Sequence, residues 1–148
     1  MKKITFLTSM LLTFCITTFS FSQKVAVIGM NHVTPDGLTF TALENISVAE
    51  TIYFTEDEYN NTTDLFSSGE SVVLFTATSA ISKGDVVFIK EISTNTFSVS
   101  CTSGVCGTAF EVSPTGNFAL ASGGEHIYAY SDSDNDPTNG VTEIYSVM

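Results

Sequence analysis

The stretch "SVVLFTATSAISKGDVVFIKE" (residues 71–91) holds two strongly apolar runs, "SVVLFTA" and "DVVFIKE", joined by a polar segment that contains a glycine. Each run is rich in Val and Phe and too short to form a typical helix. Short runs of β-branched and aromatic residues bounded by turn residues indicate strands. We therefore predict that these two runs form central strands of a β-sheet.

Similar short runs occur on both sides of this stretch, and none shows the i, i+3, i+4 recurrence of an amphipathic helix. In "KVAVIGM" we expect Val25, Val27 and Gly29 to share one face, and in "TIYFTE" we expect Ile52 and Phe54 to point inward. The sequence predicts an all-β fold, an antiparallel β-sandwich of about ten short strands, with a β-barrel as the alternative. The predicted strands are 24–30, 38–44, 51–56, 71–77, 85–91, 96–101, 107–113, 117–121, 125–131 and 142–147.

The first 22 residues have the pattern of a secretory signal peptide. Lys2 and Lys3 precede the apolar run "ITFLTSMLLTFCITTF", and the small residues of "SFS" follow at 20–22. We predict cleavage there, which leaves residues 23–148 as a single domain of a secreted or cell-surface protein. The chain stops at "EIYSVM", inside a predicted strand. Either this strand ends the domain or the domain is truncated at its C-terminal end, and we favour the second alternative.

The chain is strongly acidic. After the predicted cleavage it keeps three lysines, no arginine and 16 acidic residues, a formal net charge of −13. Such a surface repels nucleic-acid phosphates and anionic membranes, and it offers no guanidinium for bidentate phosphate contacts. We therefore expect no nucleic-acid partner and, after cleavage, no membrane span. Divalent cations suit this charge.

Cys101 and Cys106 are the two cysteines that remain after the predicted leader. In an exported protein such a pair predicts a disulfide, and Gly104 in "CTSGVC" allows a tight turn between two strands. The closed loop is short, so the bond is expected to stabilise the fold by at most ~2 kcal/mol. Two sulfurs alone cannot complete a zinc site.

The stretch "SDSDNDPTNG" (131–140) has the most specific chemistry in the chain. Asp132, Asp134, Asp136 and Glu143 have the 1, 3, 5, 12 spacing of an EF-hand calcium loop, in which oxygen ligands surround the cation. Pro137 stands where that loop needs glycine, and the flanking runs have the pattern of strands, so we do not predict an EF-hand. Two alternatives remain: a looser Ca²⁺ site formed by these four residues, with Asn139 or backbone carbonyls added, or a solvated turn.

A second acidic stretch, 56–70, contains Glu56, Asp57, Glu58, Asp64 and Glu70. It is either a solvated loop, a source of further ligands for the first site, or a weak cation site of its own. Catalytic patterns are sparse, since the chain has two histidines and no G-x-S-x-G elbow. We predict that the protein is not an enzyme.

Three stretches resemble a β-strand-rich module found in secreted and cell-surface proteins of Gram-negative bacteria. "VAVIGMNHVTPDGLTFTALENISVAETIYFTEDEY" (25–59) is similar to its opening, with the module's "I-x-F-T-D" represented here by a segment ending in Glu56. "FSSGES" (66–71) resembles "F-x-T-G-E-G", and "GNFALASGGEHIYAY" (116–130) resembles "G-x-F-x-L-S-x-S-G-D-x-x-x-A-Y". The module has no established activity, so the resemblance implies fold and location rather than function.

These observations favour a non-catalytic adhesion or scaffold module outside the cell, stabilised by Ca²⁺, with a surface protein or a glycan as partner. Two other functions remain open. The chain can be the N-terminal accessory domain of a longer secreted hydrolase, which a reading frame continuing past Met148 into a catalytic domain would establish. It can also be a carbohydrate-binding module, for which binding to glycans through exposed tyrosines would be diagnostic.

Overall fold

A computed structural model describes residues 23–112, 118–120, 125–134, 136 and 138–148. Within these ranges the chain forms eleven strands and no helix, so no described segment is a helix long and apolar enough to cross a membrane. The all-β prediction is confirmed, while the predicted leader at 1–22 lies outside the described residues. The strands are β1 (Val25–Asn31), β2 (Gly37–Ala42), β3 (Thr51–Thr55), β4 (Tyr59–Asn60), β5 (Leu65–Phe66), β6 (Val72–Ala77), β7 (Val86–Ser93), β8 (Thr96–Cys101), β9 (Gly107–Glu111), β10 (Tyr128–Ser131) and β11 (Glu143–Val147).

Nine of these strands form one antiparallel sheet in the order β1-β2-β7-β8-β9-β6-β3-β10-β11. The two end strands, β1 and β11, lie against each other, and Val27 donates its backbone N–H to Ser146 Oγ at 3.0 Å. The sheet is therefore nearly closed into a barrel. A sandwich and a barrel, the two predicted architectures, both describe a sheet that curls in this way.

The main core fills the inside of this curled sheet. Side chains alternate along each strand, so the inward residues of all nine strands meet there. Ile52 and Phe54 of β3 point inward as predicted, and the Phe54 and Phe75 rings lie 5.2 and 5.4 Å from that of Phe40. Each fully buried side chain of this size contributes about 1.5–3 kcal/mol relative to exposure.

A second, smaller core lies on the outer face of β3, β6 and β10. Tyr53 and Tyr130 stack there with ring centroids 5.3 Å apart, and Phe66 packs on Tyr130 at 5.1 Å. Phe66 belongs to the β4–β5 hairpin, which folds over the tyrosines. The sequence predicted only an acidic loop at this hairpin.

Two details of the predicted strands are wrong. A β-bulge in β1 between Val27 and Gly29 reverses the alternation of faces. Gly29 therefore pairs with Thr39 and lies on the outer face, whereas Val27 lies on the inner face. The described residues of the predicted strand 117–121, Phe118 to Leu120, are not a strand, although Phe118 and Leu120 are buried in the main core. These two apolar side chains close one part of the core without belonging to the sheet.

The predicted disulfide is confirmed. Cys101 and Cys106 are bonded across the turn between β8 and β9, with their Cα atoms 6.0 Å apart. Gly104 occupies the turn with φ of +116°, a conformation that favours glycine, and exchanges two backbone hydrogen bonds with Cys101.

Candidate functional site

The aspartate loop, residues 132–142, connects β10 to β11. Strands flank it on both sides, as the sequence predicted, and a backbone hydrogen bond of 3.0 Å from Thr142 N to Ser131 O closes its base. An EF-hand is therefore excluded, because that motif is a helix–loop–helix. Pro137, whose place in the sequence is unfavourable for an EF-hand, lies outside the described residues.

Each aspartate of the loop accepts a hydrogen bond from the backbone two residues further on. The bonds are Asp134 N to Asp132 Oδ1 at 3.3 Å, Asp136 N to Asp134 Oδ1 at 3.2 Å and Thr138 N to Asp136 Oδ1 at 3.1 Å. This is the local pattern by which Asp side chains form turns. The side-chain amide of Asn139 donates an N–H to Asp134 Oδ2 at 2.9 Å. This bond and the one from the Asp136 backbone N–H lower the pKa of Asp134.

The four predicted ligands do not form a ready-made coordination shell. Glu143 begins β11 directly opposite Ser131, while Asp134 and Asp136 point into exposed turns. Over the described ranges, no three His, Cys, Asp or Glu side chains are grouped closely enough to hold a metal ion. In this conformation the loop is a self-bonded polar turn.

Asp132 differs from its neighbours because one of its oxygens is buried without a partner in the described part of the chain. Its Oδ2 has no hydrogen bond there, and neither has the hydroxyl of Tyr130, a side chain with no exposed surface. Burial raises the pKa of Asp132, the hydrogen bond from the backbone N–H of Asp134 opposes that rise, and the Asp134 carboxyl group adds to it. Burial also raises the pKa of Tyr130 above its usual range, and the charge of Asp132 adds to that shift. The two groups therefore interact electrostatically without bonding.

A second acidic site, which we call the glutamate cleft, lies beside the end of β3. It is a cavity of about 110 Å³ lined by Glu56, Glu58, Glu70, Glu125, His126 and Tyr128. Three of these residues, Glu56, Glu58 and Glu70, belong to the acidic stretch 56–70 that the sequence offered as a candidate cation site. The sequence missed Glu125 and His126, which stand more than 50 residues away and come close only because β10 pairs with β3.

Glu56 is the buried member of the cleft, with 7% of its surface exposed. Its Oε1 accepts a hydrogen bond from Ala119 N at 3.4 Å, and its carboxyl group is hydrogen-bonded to that of Glu125. The pKa of Glu56 is raised to about 7, mainly by burial; the Ala119 bond opposes this rise, and the nearby charges of Glu125 and Glu70 add to it. When two carboxyl groups are in contact, the state in which they share one proton is more favourable than the state in which both are negatively charged.

The other acids of the 56–70 stretch have structural roles. Asp57 is buried and accepts hydrogen bonds from Ser67 Oγ at 3.3 Å, Glu70 N at 3.2 Å and Thr55 Oγ1 at 3.3 Å. Asp64 accepts a hydrogen bond of 3.1 Å from the Tyr59 hydroxyl at the end of the β4–β5 hairpin. The bonds of Asp57 attach the end of the hairpin to the end of β3, whereas the bond of Asp64 lies within the hairpin.

The size of the glutamate cleft limits its chemistry. Ligand pockets usually measure ~300–1,000 Å³, whereas this cavity measures about 110 Å³. It admits water, a proton or a small ion, and not a sugar ring. Two carboxyls with a shared proton resemble an acid–base pair, but the cavity beside them is too small for an organic substrate.

No family model, no curated protein and no solved structure matches this chain. The resemblance to a secreted bacterial module therefore stays a prediction based on short motifs.

Proposed function

We propose that this protein is a non-catalytic adhesion or scaffold module that works outside the cell and binds Ca²⁺ in its aspartate loop. The observation that carries the proposal is the buried Oδ2 of Asp132, which has no partner among the described residues. An unpaired buried polar atom costs about 1–3 kcal/mol, and more when it is charged. A bound cation removes that cost.

The composition of the loop fits calcium better than other metals. Asp132, Asp134 and Asp136 would hold the ion, with Glu143 as a weaker fourth ligand, and all of these supply hard carboxylate oxygens. Asp134 and Asp136 are exposed, so their side chains can turn toward Asp132 with little loss of packing. Extracellular modules bind Ca²⁺ with Kd of only ~10⁻⁴–10⁻³ M, which a partly assembled site can reach.

The position of the loop suggests what calcium would do. The loop joins β10 to β11, and β11 is the end strand that lies against β1 where the sheet closes. Fixing the loop would hold β11 in place and stiffen the closing edge. Rigidity that depends on extracellular calcium suits an adhesion or scaffold role. The disulfide, which persists in oxidising compartments, supports the same location.

Thermal unfolding of the purified protein in EDTA, in ~5 mM Ca²⁺ and in ~5 mM Mg²⁺ at matched ionic strength tests the proposal. Free ligand at ten times Kd adds about 1.4 kcal/mol, so Ca²⁺ should raise the midpoint by several degrees and Mg²⁺ should not. Asp132→Asn should abolish the shift. In EDTA this variant should be at least as stable as the wild type, because the amide replaces an unpartnered charged oxygen with a neutral group.

Asp85→Asn is the matched control. Asp85 accepts the backbone N–H of Ser82 at 3.0 Å in a turn between β6 and β7, so it resembles the loop aspartates but belongs to a different turn. This variant should keep the full calcium shift. An equal shift with Mg²⁺, or a calcium shift that survives Asp132→Asn, would overturn the proposed site.

A further inference from the structure

The carboxyl pair of Glu56 and Glu125 connects three separate parts of the chain. Glu56 directly follows β3, Glu125 precedes β10, and Ala119, which donates its N–H to Glu56, belongs to the segment Phe118 to Leu120. The next residue, Leu120, donates its N–H to Asp36 Oδ2 at 2.9 Å. Two carboxylates from distant turns therefore hold this short segment by its backbone.

The segment closes part of the main core. Phe118 and Leu120 are 2% and 5% exposed, and the Phe118 ring meets that of Phe97 with centroids 5.7 Å apart. Ala119 between them is exposed, so the segment lies at the surface with its two apolar side chains pointing into the core. Loosening its backbone bonds would give water access to this side of the core.

The groups that face Glu56 are almost all acidic. Glu70 approaches from the turn before β6, Glu58 from the stretch before β4, and Glu125 with His126 from the residues before β10. Asp57 lies next in the chain, and Tyr128 completes the wall. No lysine is among the described residues that line the cleft. Lys24, one of the three in residues 23–148, pairs with Glu50 elsewhere.

We propose that Glu56 and Glu125 form a pH-sensitive clasp, which a shared proton keeps closed and which opens when that proton is lost to water. In the closed form Glu56 holds Ala119, and the segment 118–120 covers the core. In the open form Glu56 and Glu125 are both negative, with Glu70 nearby, so repulsion separates the segments that meet at the cleft. This device is distinct from the aspartate loop and does not depend on calcium.

The sign of the effect follows from the direction of the shift. The folded protein raises the pKa of Glu56 from 4.5 to about 7, so the closed form binds the proton more tightly than the open form does. The stabilisation is fully present below about pH 4.5 and is lost as the pH rises through about 7. With these two values, opening becomes about tenfold more favourable between pH 6 and pH 8.

Amide hydrogen exchange of Ala119 and Leu120, measured in EDTA between pH 5 and pH 8.5, tests the clasp. After correction for the intrinsic exchange rate, protection of both amides should fall about tenfold between pH 6 and pH 8. Glu56→Gln, which cannot lose a proton and keeps both hydrogen bonds, should remove this dependence. Glu125→Gln provides a second variant should the first one not fold. It leaves Glu56 buried but removes the charge of Glu125, so the fall in protection should be smaller than in the wild type without disappearing.

Glu58→Gln is the matched control, because Glu58 lines the same cleft but is exposed and does not belong to the pair. It removes the same unit of charge and should keep the profile of the wild type. Two results would overturn the clasp. One is protection that does not vary with pH in the wild type. The other is a fall in protection that Glu56→Gln and Glu125→Gln show to the same extent as the wild type.

Discussion

Where β6 and β9 come into close contact, one position has room only for glycine. Gly107 begins β9 directly against Phe75 of β6. A Cβ atom at Gly107 would stand 2.7 Å from Phe75 Cζ and 2.8 Å from Thr76 O, both far inside van der Waals contact. The Phe75 ring is fully buried beside Phe40, so it has no room to move away.

Gly107→Ala should therefore destabilise the protein by about 1–3 kcal/mol, the usual effect of overpacking a core. Equilibrium unfolding in urea measures this change in the free energy of unfolding. Gly29→Ala is the control, since a Cβ there meets its nearest atom, Thr39 Cβ, at an ordinary 3.7 Å. The control should change stability by less than ~1 kcal/mol. Equal effects of the two substitutions would show that β6 and β9 are not this close.

The small β4–β5 hairpin makes extensive aromatic contacts for its length. Each of its strands has two residues, and its Phe66 ring contacts those of Tyr59, Tyr128 and Tyr130 at 5.1–5.2 Å. The hairpin thus buries the tyrosine stack and positions the turn that carries Glu70. It links the second core to the glutamate cleft.

Phe66→Ala should cost about 3–5 kcal/mol, the typical effect of removing a buried aromatic side chain. Phe110→Ala makes the same chemical change on the outer face of β9, where the side chain is 47% exposed, and should cost less than ~1 kcal/mol. Urea unfolding of both variants compares them. A small effect of Phe66→Ala would mean that the hairpin does not cover the tyrosines in solution.

The strands themselves could be predicted from the sequence because their signal is local. Alternation in "TIYFT" placed Ile52 and Phe54 inward, and the paired cysteines around Gly104 predicted the disulfide. The bulge after Val27 could not be predicted, since it depends on pairing with β2. The hairpin was missed for a related reason: two-residue strands in an acidic stretch show no periodicity, and only the sheet beneath stabilises them.

The candidate sites, too, could be predicted from the sequence only in part. The aspartate spacing is visible in the sequence, but the buried oxygen of Asp132 appears only once β10 places Tyr130 beside it. Glu125 joins Glu56 only through the pairing of β10 with β3. No sequence pattern connects those two residues, because the contact forms between elements that are distant in the chain.

At the scale of the whole molecule, residues 23–148 carry a net charge of −13, and two acidic sites lie on neighbouring connections around β10. Each site gathers negative groups around one partly buried carboxyl group, and we propose that each takes up a positive charge: Ca²⁺ at the aspartate loop and a proton at the glutamate cleft. Since Tyr53 and Tyr130 stack beneath the aspartate loop and the charge of Asp132 affects the pKa of both, aromatic rings lie close to the proposed calcium ligands. This proximity provides a direct optical test of the proposed calcium binding.

Terbium luminescence is the most direct test of the central claim that the aspartate loop is a calcium site. Tb³⁺ binds oxygen-rich calcium sites and emits when a neighbouring tyrosine is excited. The wild-type protein should give sensitised emission that excess Ca²⁺ displaces and Mg²⁺ does not. Asp132→Asn should abolish the emission, and Glu56→Gln should leave it intact. Absence of emission from the wild type, or emission that Glu56→Gln abolishes and Asp132→Asn does not, would contradict the claim.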